Sequence, residues 1–279
     1  MNHFPSALEA VHAALRDLHA QGVDLRASSS VIAKFAVPLQ DLETAVPRQV
    51  VLEAATALAP AVSAARIPVP VGGPKADRLA AMREPVLACT LCPHLVRSRT
   101  QVVFGVGNPD AEIMFVGEAP GEDEDLEGEP FVGKAGQLLT KIIAAMGFAR
   151  EEIYIANVLK CRPDMPPGES GNRKPRPVEM QTCLPYLRQQ IEIIQPRAIV
   201  ALGATAMEGL LGETAPMARL RGRWHTFDTI PLMATYHPAY LLRNQSMSEK
   251  RKVWEDMLLV LERLEKTISE KQRGFFLSK

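Results

Sequence analysis

The sequence predicts an α/β fold, a three-layer sandwich in which helices flank a central four-stranded, mostly parallel sheet. Four short runs of strand-forming residues alternate with four helical patterns, and strands separated by helices form mostly parallel sheets that are covered on both faces. With 279 residues and 47% hydrophobic content, the chain is large and apolar enough for a substantial core.

The predicted strands and helices alternate along the second part of the chain. The strands are expected at residues 111–117, 153–158, 197–203 and 230–236. The helices are expected at residues 135–147, 177–194, 204–211 and 248–268. A stretch at 102–104 is expected to add a hairpin or an edge strand. Because parallel strands end at the same edge of a sheet, the polar or Gly-rich turns that follow all four strands predict one shared site.

The first 74 residues differ in composition from the rest. Residues 4–20 carry apolar side chains at helical spacing and predict a small packing or partner helix. Residues 37–74 are rich in Ala, Val and Pro, and the proline density of 67–74 excludes a helix or an inner strand. We therefore predict an N-terminal helix plus Ala/Pro-rich linker over residues 1–74 and a folded domain over residues 75–279.

The charge balance and hydropathy narrow the class of protein. The 32 basic and 32 acidic residues cancel, so there is no global attraction to nucleic acid or anionic membrane, and a polyanion must be held by local patches. No run of eighteen apolar residues is present, which argues against a membrane span. The first twenty residues include Glu9, Arg16 and Asp17 and lack a signal-peptide core, so we expect a cytoplasmic protein. We also expect a monomer.

Residues 117–136, GEAPGEDEDLEGEPFVGKAG, form a long predicted loop that joins the first strand to a helix. This acidic loop carries seven acidic residues, several glycines and one aromatic residue, Phe131. A loop of this length in a compact domain is usually functional or disordered, and the aromatic residue and glycines favour function. Its second half nearly matches a phosphate-binding GxxxxGK[ST] loop, but Ala135 replaces the magnesium-binding hydroxyl and Pro130 removes a backbone N–H.

The chain has four cysteines, and their positions suggest one site. Cys89 and Cys92 form a CxxC pair, Cys161 follows the second predicted strand, and Cys183 lies in the helix after it. A set that uses every cysteine is the pattern of a four-thiolate metal site, with which zinc and an iron–sulfur cluster are both compatible. A redox CxxC pair and unrelated buried cysteines are the alternatives.

Four signals occur together in the predicted domain: the acidic loop, Asn157 at a strand end, the cysteine set, and residues 237–244, HPAYLLRN. This combination resembles family 4 uracil-DNA glycosylases, the iron–sulfur members of the uracil-DNA glycosylase superfamily, over about residues 85–264. The resemblance implies a 4Fe–4S cluster on the four cysteines. It also implies hydrolysis of the N-glycosidic bond of uracil in single- or double-stranded DNA, which releases uracil and leaves an abasic site. The alternative is a non-enzymatic iron–sulfur DNA-binding module with the same fold.

The resemblance implies roles for residues at the strand ends. Phe131 is expected to stack on an extruded uracil, and Asn157 to pair with its N3–H and O4 and so disfavour cytosine. His237 is expected to donate a hydrogen bond to O2 of the leaving base. Gly117 and Ala119 are expected to border the base.

The resemblance does not indicate which carboxylate activates the water molecule. Ala119 stands where the classical members of the superfamily have an aspartate, and family 4 members also have alanine there. Glu118 is the nearest candidate and Asp123 the second. Glycosidic cleavage through a cationic sugar can proceed with electrostatic help from such a carboxylate.

DNA contacts are expected from local basic and apolar groups. Residues 240–242 either wedge into the gap left by the extruded base or form ordinary helix-start core, and Leu241, Leu242 and Arg243 are predicted to contact DNA. The other candidates for phosphate contacts are Lys160, Arg162, Arg173, Lys174, Arg176, Arg219, Arg221 and Arg223. The segment between the third and fourth cysteines is longer than in a minimal family 4 enzyme. One branch of relatives forms a covalent DNA adduct through a histidine there, and this segment has none.

Overall fold

The computed structural model describes residues 65–166, 168–169 and 171–277. The predicted helix at 4–20 and the linker up to residue 64 lie outside the described residues. Within the described part of the chain, no helix is long and apolar enough to cross a membrane.

Six strands form one sheet. They are β1 (Val106–Gly107), β2 (Ile113–Gly117), β3 (Tyr154–Asn157), β4 (Ala198–Leu202), β5 (Trp224–Phe227) and β6 (Ile230–Thr235). Their order across the sheet is β1-β3-β2-β4-β6-β5. The four inner strands are parallel, whereas the edge strands β1 and β5 pair antiparallel with β3 and β6. The β2–β3 register sets Gly117 beside Asn157 at the carboxyl ends of both strands.

Ten α-helices accompany this sheet in the described residues. They are α1 (Lys75–Leu87), α2 (Pro93–Ser98), α3 (Glu122–Glu127), α4 (Lys134–Met146), α5 (Pro177–Ile194), α6 (Ala204–Leu211), α7 (Met217–Leu220), α8 (Pro238–Arg243), α9 (Met247–Arg263) and α10 (Glu270–Arg273). A 3₁₀ turn, Arg150–Glu152, precedes β3. The four predicted helices correspond to α4, α5, α6 and α9.

Side chains of the inner strands alternate between two hydrophobic cores, one on each face of the sheet. In β2, Met114 and Val116 belong to one core, and Ile113 and Phe115 belong to the other. Residues of α1, α5 and α6 complete the first core, and residues of α4 and α9 complete the second. The chain therefore folds as an α/β protein with a sheet between two helical layers.

The prediction of a four-stranded sheet is wrong in strand number, because both edges carry an additional antiparallel strand. At one edge, residues 102–104 form no strand, although the Val103 N–H donates to the Lys160 carbonyl at 2.8 Å. The strand there is the two-residue β1. At the other edge, β5 turns back into β6 through Asp228, whose φ of 52° lies in the left-handed region. Neither short edge strand has the apolar run by which the inner strands were predicted.

Two further boundaries differ from the prediction. The acidic loop is not wholly irregular, since α3 occupies its middle. Helix α9 ends at Arg263 rather than 268, because Glu265 takes a left-handed φ of 58° and the Lys266 N–H donates back to the Leu261 carbonyl at 3.0 Å.

The described part of the predicted linker contacts the domain. Ile67 is buried, and its N–H donates to Gln189 Oε1 at 3.0 Å while the Gln189 amide donates to the Ile67 carbonyl at 2.6 Å. Gln189 lies on α5. The domain boundary at residue 75 stays a prediction, but the residues just before it pack against α5.

Candidate active site

A cavity of about 410 Å³ lies at the carboxyl ends of the inner strands. Segments that are far apart in sequence line it: the acidic loop, Asn157 at the end of β3, residues 172–174 before α5, and residues from His237 to Arg243 around α8. The turn after β4 packs closely against one of these residues, since a Cβ on Gly203 would lie 3.1 Å from the Cβ of His237. The predicted gathering of strand ends into one site is therefore present.

Asn157 forms the floor of this cavity. Its side chain is 2% exposed, and its Oδ1 has no hydrogen-bond partner among the described residues. A buried polar atom without a partner is costly and is uncommon in folded proteins. Gly117 is required beside it, because a Cβ there would overlap Asn157 Oδ1 and lie 2.6 Å from two ring atoms of Phe131. Gly117, Asn157 and Phe131 thus meet as predicted.

Phe131 is held in an unusual backbone conformation. Its φ is 56°, in the left-handed region that a bulky residue rarely adopts, and such strain is typical of functional sites. The Arg150 guanidinium donates to the Pro130 carbonyl at 2.6 Å and so anchors the preceding residue. A Cβ on Gly136 would overlap the Phe131 carbonyl, so the first turn of α4 also packs directly on this backbone.

Glu124, in α3, ties the acidic loop together. One carboxylate oxygen accepts the N–H groups of Val132 and Gly133 at 3.0 Å, and the other accepts the Gly121 N–H at 3.0 Å. These bonds close the loop around Phe131. Glu124 was not singled out from the sequence, because the residue before α3 is Gly121 and the usual Ser/Thr-x-x-Glu capping signal is therefore absent.

His237 lies directly before α8 and faces the cavity. Its Nδ1 accepts the Ala239 N–H at 3.1 Å, and its ring centroid is 5.5 Å from that of Phe131. Burial, with a smaller contribution from the Arg243 charge, lowers the pKa of His237 to about 4. The ring is therefore neutral near pH 7, and because Nδ1 accepts a hydrogen bond, the proton is on Nε2. The site holds a neutral imidazole that can donate a hydrogen bond.

The structure distinguishes between the two candidate carboxylates. Glu118 lines the cavity together with Ala119, whereas Asp123 is exposed and lies against the backbone of Gly133. Burial raises the pKa of Glu118, and the Thr205 hydroxyl and the Lys174 ammonium oppose this effect. Glu118 is therefore the better placed carboxylate.

The four cysteines come together on the α1–α5 side of the sheet. Burial and the neighbouring thiols Cys161 and Cys89 raise the pKa of Cys92 to about 11, and burial with Cys161 raises that of Cys183 to about 12. The Arg99 guanidinium donates to Cys161 Sγ at 3.0 Å. Arg99 was not singled out from the sequence, because nothing in its local pattern marks it as a neighbour of the thiols.

The four thiols are neighbours, but no three of their sulfur atoms all lie within 4.8 Å of one another. Among the described residues, the group of three metal-capable side chains whose ligand atoms all lie within 4.8 Å of one another is His94, Asp164 and Glu179. The thiols form no group of that compactness. The His94 group is not a good cation site, since the Arg173 guanidinium already donates to Glu179 at 2.7 Å and pairs with Asp164.

The basic residues expected to contact phosphate divide into two groups. Lys160 is not available to DNA, because its ammonium is buried and donates to Gln190 at 2.6 Å. Arg173 and Arg221 are committed to internal carboxylates, the latter to Asp256. Arg162 is partly buried, and its guanidinium donates to the Gly171 carbonyl at 3.0 Å. The exposed candidates are Lys174, Arg176, Arg219, Arg223 and Arg243. The prediction for Lys160 is therefore wrong, since a residue at a strand end need not reach the surface.

The two leucines of α8 that were predicted to contact DNA differ in exposure. Leu241 is buried at 5% exposure and Leu242 is 38% exposed, and both line a second, apolar pocket between α8, α4 and α9 rather than the cavity described above. Of the leucines considered as a wedge, Leu242 is the one on the surface.

Comparison with known proteins assigns the chain to a family. A profile described as the Uracil DNA glycosylase superfamily matches residues 104–258, which is more than half of the chain. The chain therefore belongs to the uracil DNA glycosylase superfamily. This range contains all the cavity residues named above.

The curated relatives indicate which type of uracil-DNA glycosylase this chain is similar to. The Type-4 uracil-DNA glycosylase of Thermotoga maritima is 48% identical over 179 residues, which cover 62% of this chain and 88% of the relative. The Type-4 enzyme of Archaeoglobus fulgidus is 43% identical over 173 residues, 59% of this chain and 83% of the relative. A Type-5 uracil-DNA glycosylase of Thermus thermophilus is 28% identical over 190 residues, which cover 54% of this chain and 82% of the relative. The resemblance to family 4 is thereby confirmed.

Proposed function

We propose that this protein is a uracil-DNA glycosylase of the family 4 type, which hydrolyses the N-glycosidic bond of uracil in DNA and leaves an abasic site. The observation that carries the proposal is the unpartnered Asn157 Oδ1 on the floor of a cavity beside the Phe131 ring. A base that enters the cavity would supply the missing partner. Family membership and the Type-4 relatives support the reaction.

Recognition of uracil follows from the amide. Uracil offers a donor at N3 and an acceptor at O4, and an Asn side chain has an acceptor and a donor to match them. Cytosine has the reverse arrangement at these positions. Phe131 would stack on the base, and Gly117, which has no side chain, leaves room for the Phe131 ring and the Asn157 amide to lie side by side.

Bond cleavage follows from His237 and Glu118. As the bond to the sugar breaks, negative charge builds on uracil O2, and the neutral His237 Nε2–H is a donor of the kind that stabilises it. The Glu118 carboxylate, when ionised, would orient a water molecule towards the cationic sugar. Ala119 borders the same space.

Release of the free base is the experiment that tests this function. The protein is incubated with a single-stranded oligonucleotide that contains one uracil and with the same oligonucleotide containing cytosine. We expect chromatography to detect free uracil and an abasic site in the first substrate and no base release in the second. Binding without release would favour the non-enzymatic DNA-binding module instead. A duplex substrate in the same assay compares U:G and U:A pairs.

We also propose that Cys89, Cys92, Cys161 and Cys183 hold a 4Fe–4S cluster. The donor set fits, since the Arg99 guanidinium and the Lys160 backbone N–H donate to Cys161 and Cys183 at 3.0 Å and 3.3 Å. A single zinc ion at about 2.3 Å from each sulfur would need Sγ atoms about 3.8 Å apart, a more compact set than these thiols form. Such a cluster, held by thiolates, joins three distant segments of the chain.

For DNA contacts, the proposal relies on the α8 segment. Leu242, which is exposed, would enter the gap left by the extruded base, and the exposed Arg243 would contact a neighbouring phosphate. Leu241 supports this helix from the core and contacts no DNA directly. The monomeric state and the choice between single and double strands stay predictions.

A further inference from the structure

Arg99 makes hydrogen bonds to two of the segments that carry the four cysteines. It follows α2 directly, and its Nη1 donates to Cys161 Sγ at 3.0 Å while its Nη2 donates to the Cys89 carbonyl at 2.7 Å. Cys89 belongs to the CxxC pair, whereas Cys161 follows β3 and is distant in sequence. One side chain therefore joins two of the cysteine segments and contacts one of the sulfur atoms directly.

The backbone on both sides of the Arg99 side chain is held by hydrogen bonds. The Arg99 N–H donates to the Leu95 carbonyl of α2 at 2.8 Å. The N–H of the next residue, Thr100, donates to Asp125 Oδ2 at 2.8 Å, and Asp125 is a buried residue of α3. These contacts restrict the backbone from which the guanidinium extends to the thiols, so the bond to Cys161 does not depend on a freely moving surface chain.

Two other donors beside the thiols differ from Arg99. The Lys160 backbone N–H donates to Cys183 Sγ at 3.3 Å, but an amide carries no net charge. The Lys160 ammonium donates to Gln190 Oε1 at 2.6 Å rather than to a sulfur. Arg99 combines a charge that is kept at every accessible pH with a direct hydrogen bond to a cysteine sulfur.

We propose that Arg99 raises the reduction potential of the 4Fe–4S cluster by donating a hydrogen bond to the Cys161 thiolate. The inference rests on the proposed cluster. Net charge and hydrogen bonds to the sulfur atoms are among the factors that set the potential of such a cluster. One-electron reduction makes the thiolate-bound cluster more negative, and a charge-assisted hydrogen bond to a ligand sulfur stabilises that state more than the oxidised one.

The experiment measures the midpoint potential of the cluster in a redox titration, in which an added reductant supplies the electron through mediators and electron paramagnetic resonance follows the reduced cluster. Arg99→Met removes the charge and the donor but keeps a side chain of similar length. We expect the equilibrium constant for one-electron reduction to fall about tenfold, which lowers the midpoint by about 59 mV. Arg99→Lys keeps the charge but not the two-pronged contact, so its midpoint is expected between those of the wild type and Arg99→Met.

Arg97→Met is the matched control. Arg97 is exposed and lies in the last turn of α2, so its substitution removes the same charge from the same segment without touching the bond to Cys161. We expect the midpoint of this variant to equal that of the wild type. A wild-type midpoint in an iron-loaded Arg99→Met protein would overturn the inference. An equal fall in Arg97→Met would also overturn it, because the overall charge of the segment would then explain the shift.

Metal analysis separates this inference from the proposed cluster. Zinc without iron in the wild-type protein would remove the cluster, and the inference with it, whereas an intact cluster with an unchanged midpoint in Arg99→Met removes the inference alone. If Arg99→Met does not retain iron, Arg99→Lys becomes the test variant. A midpoint below that of the wild type, together with loss of a pulsed-resonance coupling between the reduced cluster and isotope-labelled arginine nitrogen, would support the inference. A wild-type midpoint in Arg99→Lys, or loss of iron there as well, would overturn it and make Arg99 a structural contact only.

Discussion

At the scale of single residues, the role proposed for His237, a hydrogen bond to the leaving base, needs a neutral ring, and the surroundings of His237 favour one. Protonation would give a positive ring, but burial and Arg243 oppose it, and the Ala239 N–H occupies Nδ1. The remaining N–H is a donor that is fixed before the substrate binds. Such preorganised donors act where charge develops in the transition state.

We therefore expect His237→Ala to slow the chemical step more than it weakens binding. Loss of one such donor typically lowers the rate by about 10²–10³-fold. Single-turnover rates and affinity for a non-cleavable uracil analogue measure the two effects. His225→Ala, whose ring contacts the Leu220 carbonyl outside the cavity, is the control. Equal losses of binding and rate in His237→Ala would make the histidine a ground-state contact.

The residues proposed to contact the base were easier to predict than the residues that hold them in place. Asn157, Phe131 and His237 follow strands or stand out by type in a Gly-rich loop, so the sequence indicated them. Glu124 and Arg99 make contacts that form only in the folded chain, with residues 8 and 62 positions away in sequence. Lys160 shows the opposite error, since a charged residue at a strand end became fully buried against Gln190.

At the scale of elements, the start of α4 fixes the Phe131 backbone. Alanine at a helical glycine normally stabilises a helix by up to about 1 kcal/mol. At Gly136 the added Cβ would overlap the Phe131 carbonyl, and this side of the contact is backbone that cannot rotate away. The steric overlap with Phe131 is therefore expected to cost more free energy than the higher helix propensity of alanine gains.

Gly136→Ala is accordingly expected to lower the free energy of unfolding by about 1–3 kcal/mol and to reduce uracil release. Chemical denaturation and the release assay measure the two effects. Gly274→Ala, where the nearest atom to a new Cβ is a carbonyl at 3.4 Å, is the matched substitution that should be tolerated. A Gly136→Ala protein that was stabilised and fully active would contradict the contact.

The elements themselves were predictable to different degrees. The inner strands are continuous apolar runs, because both faces of a parallel sheet are buried, and all four were found. The edge strands were missed. β1 has two residues, and β5 contains Trp224 and His225 in a polar setting, so neither produces a periodic signal. Short strands depend on pairing with a neighbour, which the sequence does not display locally.

At the scale of the whole molecule, the four cysteines lie on three separate segments of the chain, which the proposed cluster would join. We expect the purified protein to be brown and to contain about four irons and four sulfides per chain. Cys161→Ala and Cys183→Ala should lose iron and melt at a lower temperature. Metal analysis of the wild-type protein that found one zinc and no iron would contradict the cluster.

The region before the domain is expected to be dispensable for excision. We predict that removal of residues 1–64 leaves uracil release and melting temperature close to those of the full chain. Removal of residues 1–74 should retain activity but lower the melting temperature, because it deletes the buried Ile67 and its hydrogen bonds to Gln189. Loss of turnover in a folded 1–64 truncation would show that this region contributes to the site.

The central claim is that Asn157 reads the base in this cavity, and Asn157→Asp tests it most directly. A carboxylate accepts but does not donate unless protonated, so the contact to uracil O4 is lost and a contact to the cytosine amino group is gained. The mismatch costs on the order of 1–3 kcal/mol, or roughly tenfold to a hundredfold in rate.

Single-turnover release of uracil and of cytosine from matched oligonucleotides is the measurement. Asn108→Asp is the control, since its side-chain oxygen accepts the Asp110 N–H at 2.9 Å outside the cavity and a carboxylate keeps that bond. Uracil release is expected to slow in Asn157→Asp alone, with the ratio of rates shifted towards cytosine. Wild-type uracil kinetics in a folded Asn157→Asp protein would remove Asn157 from the pocket and contradict the account.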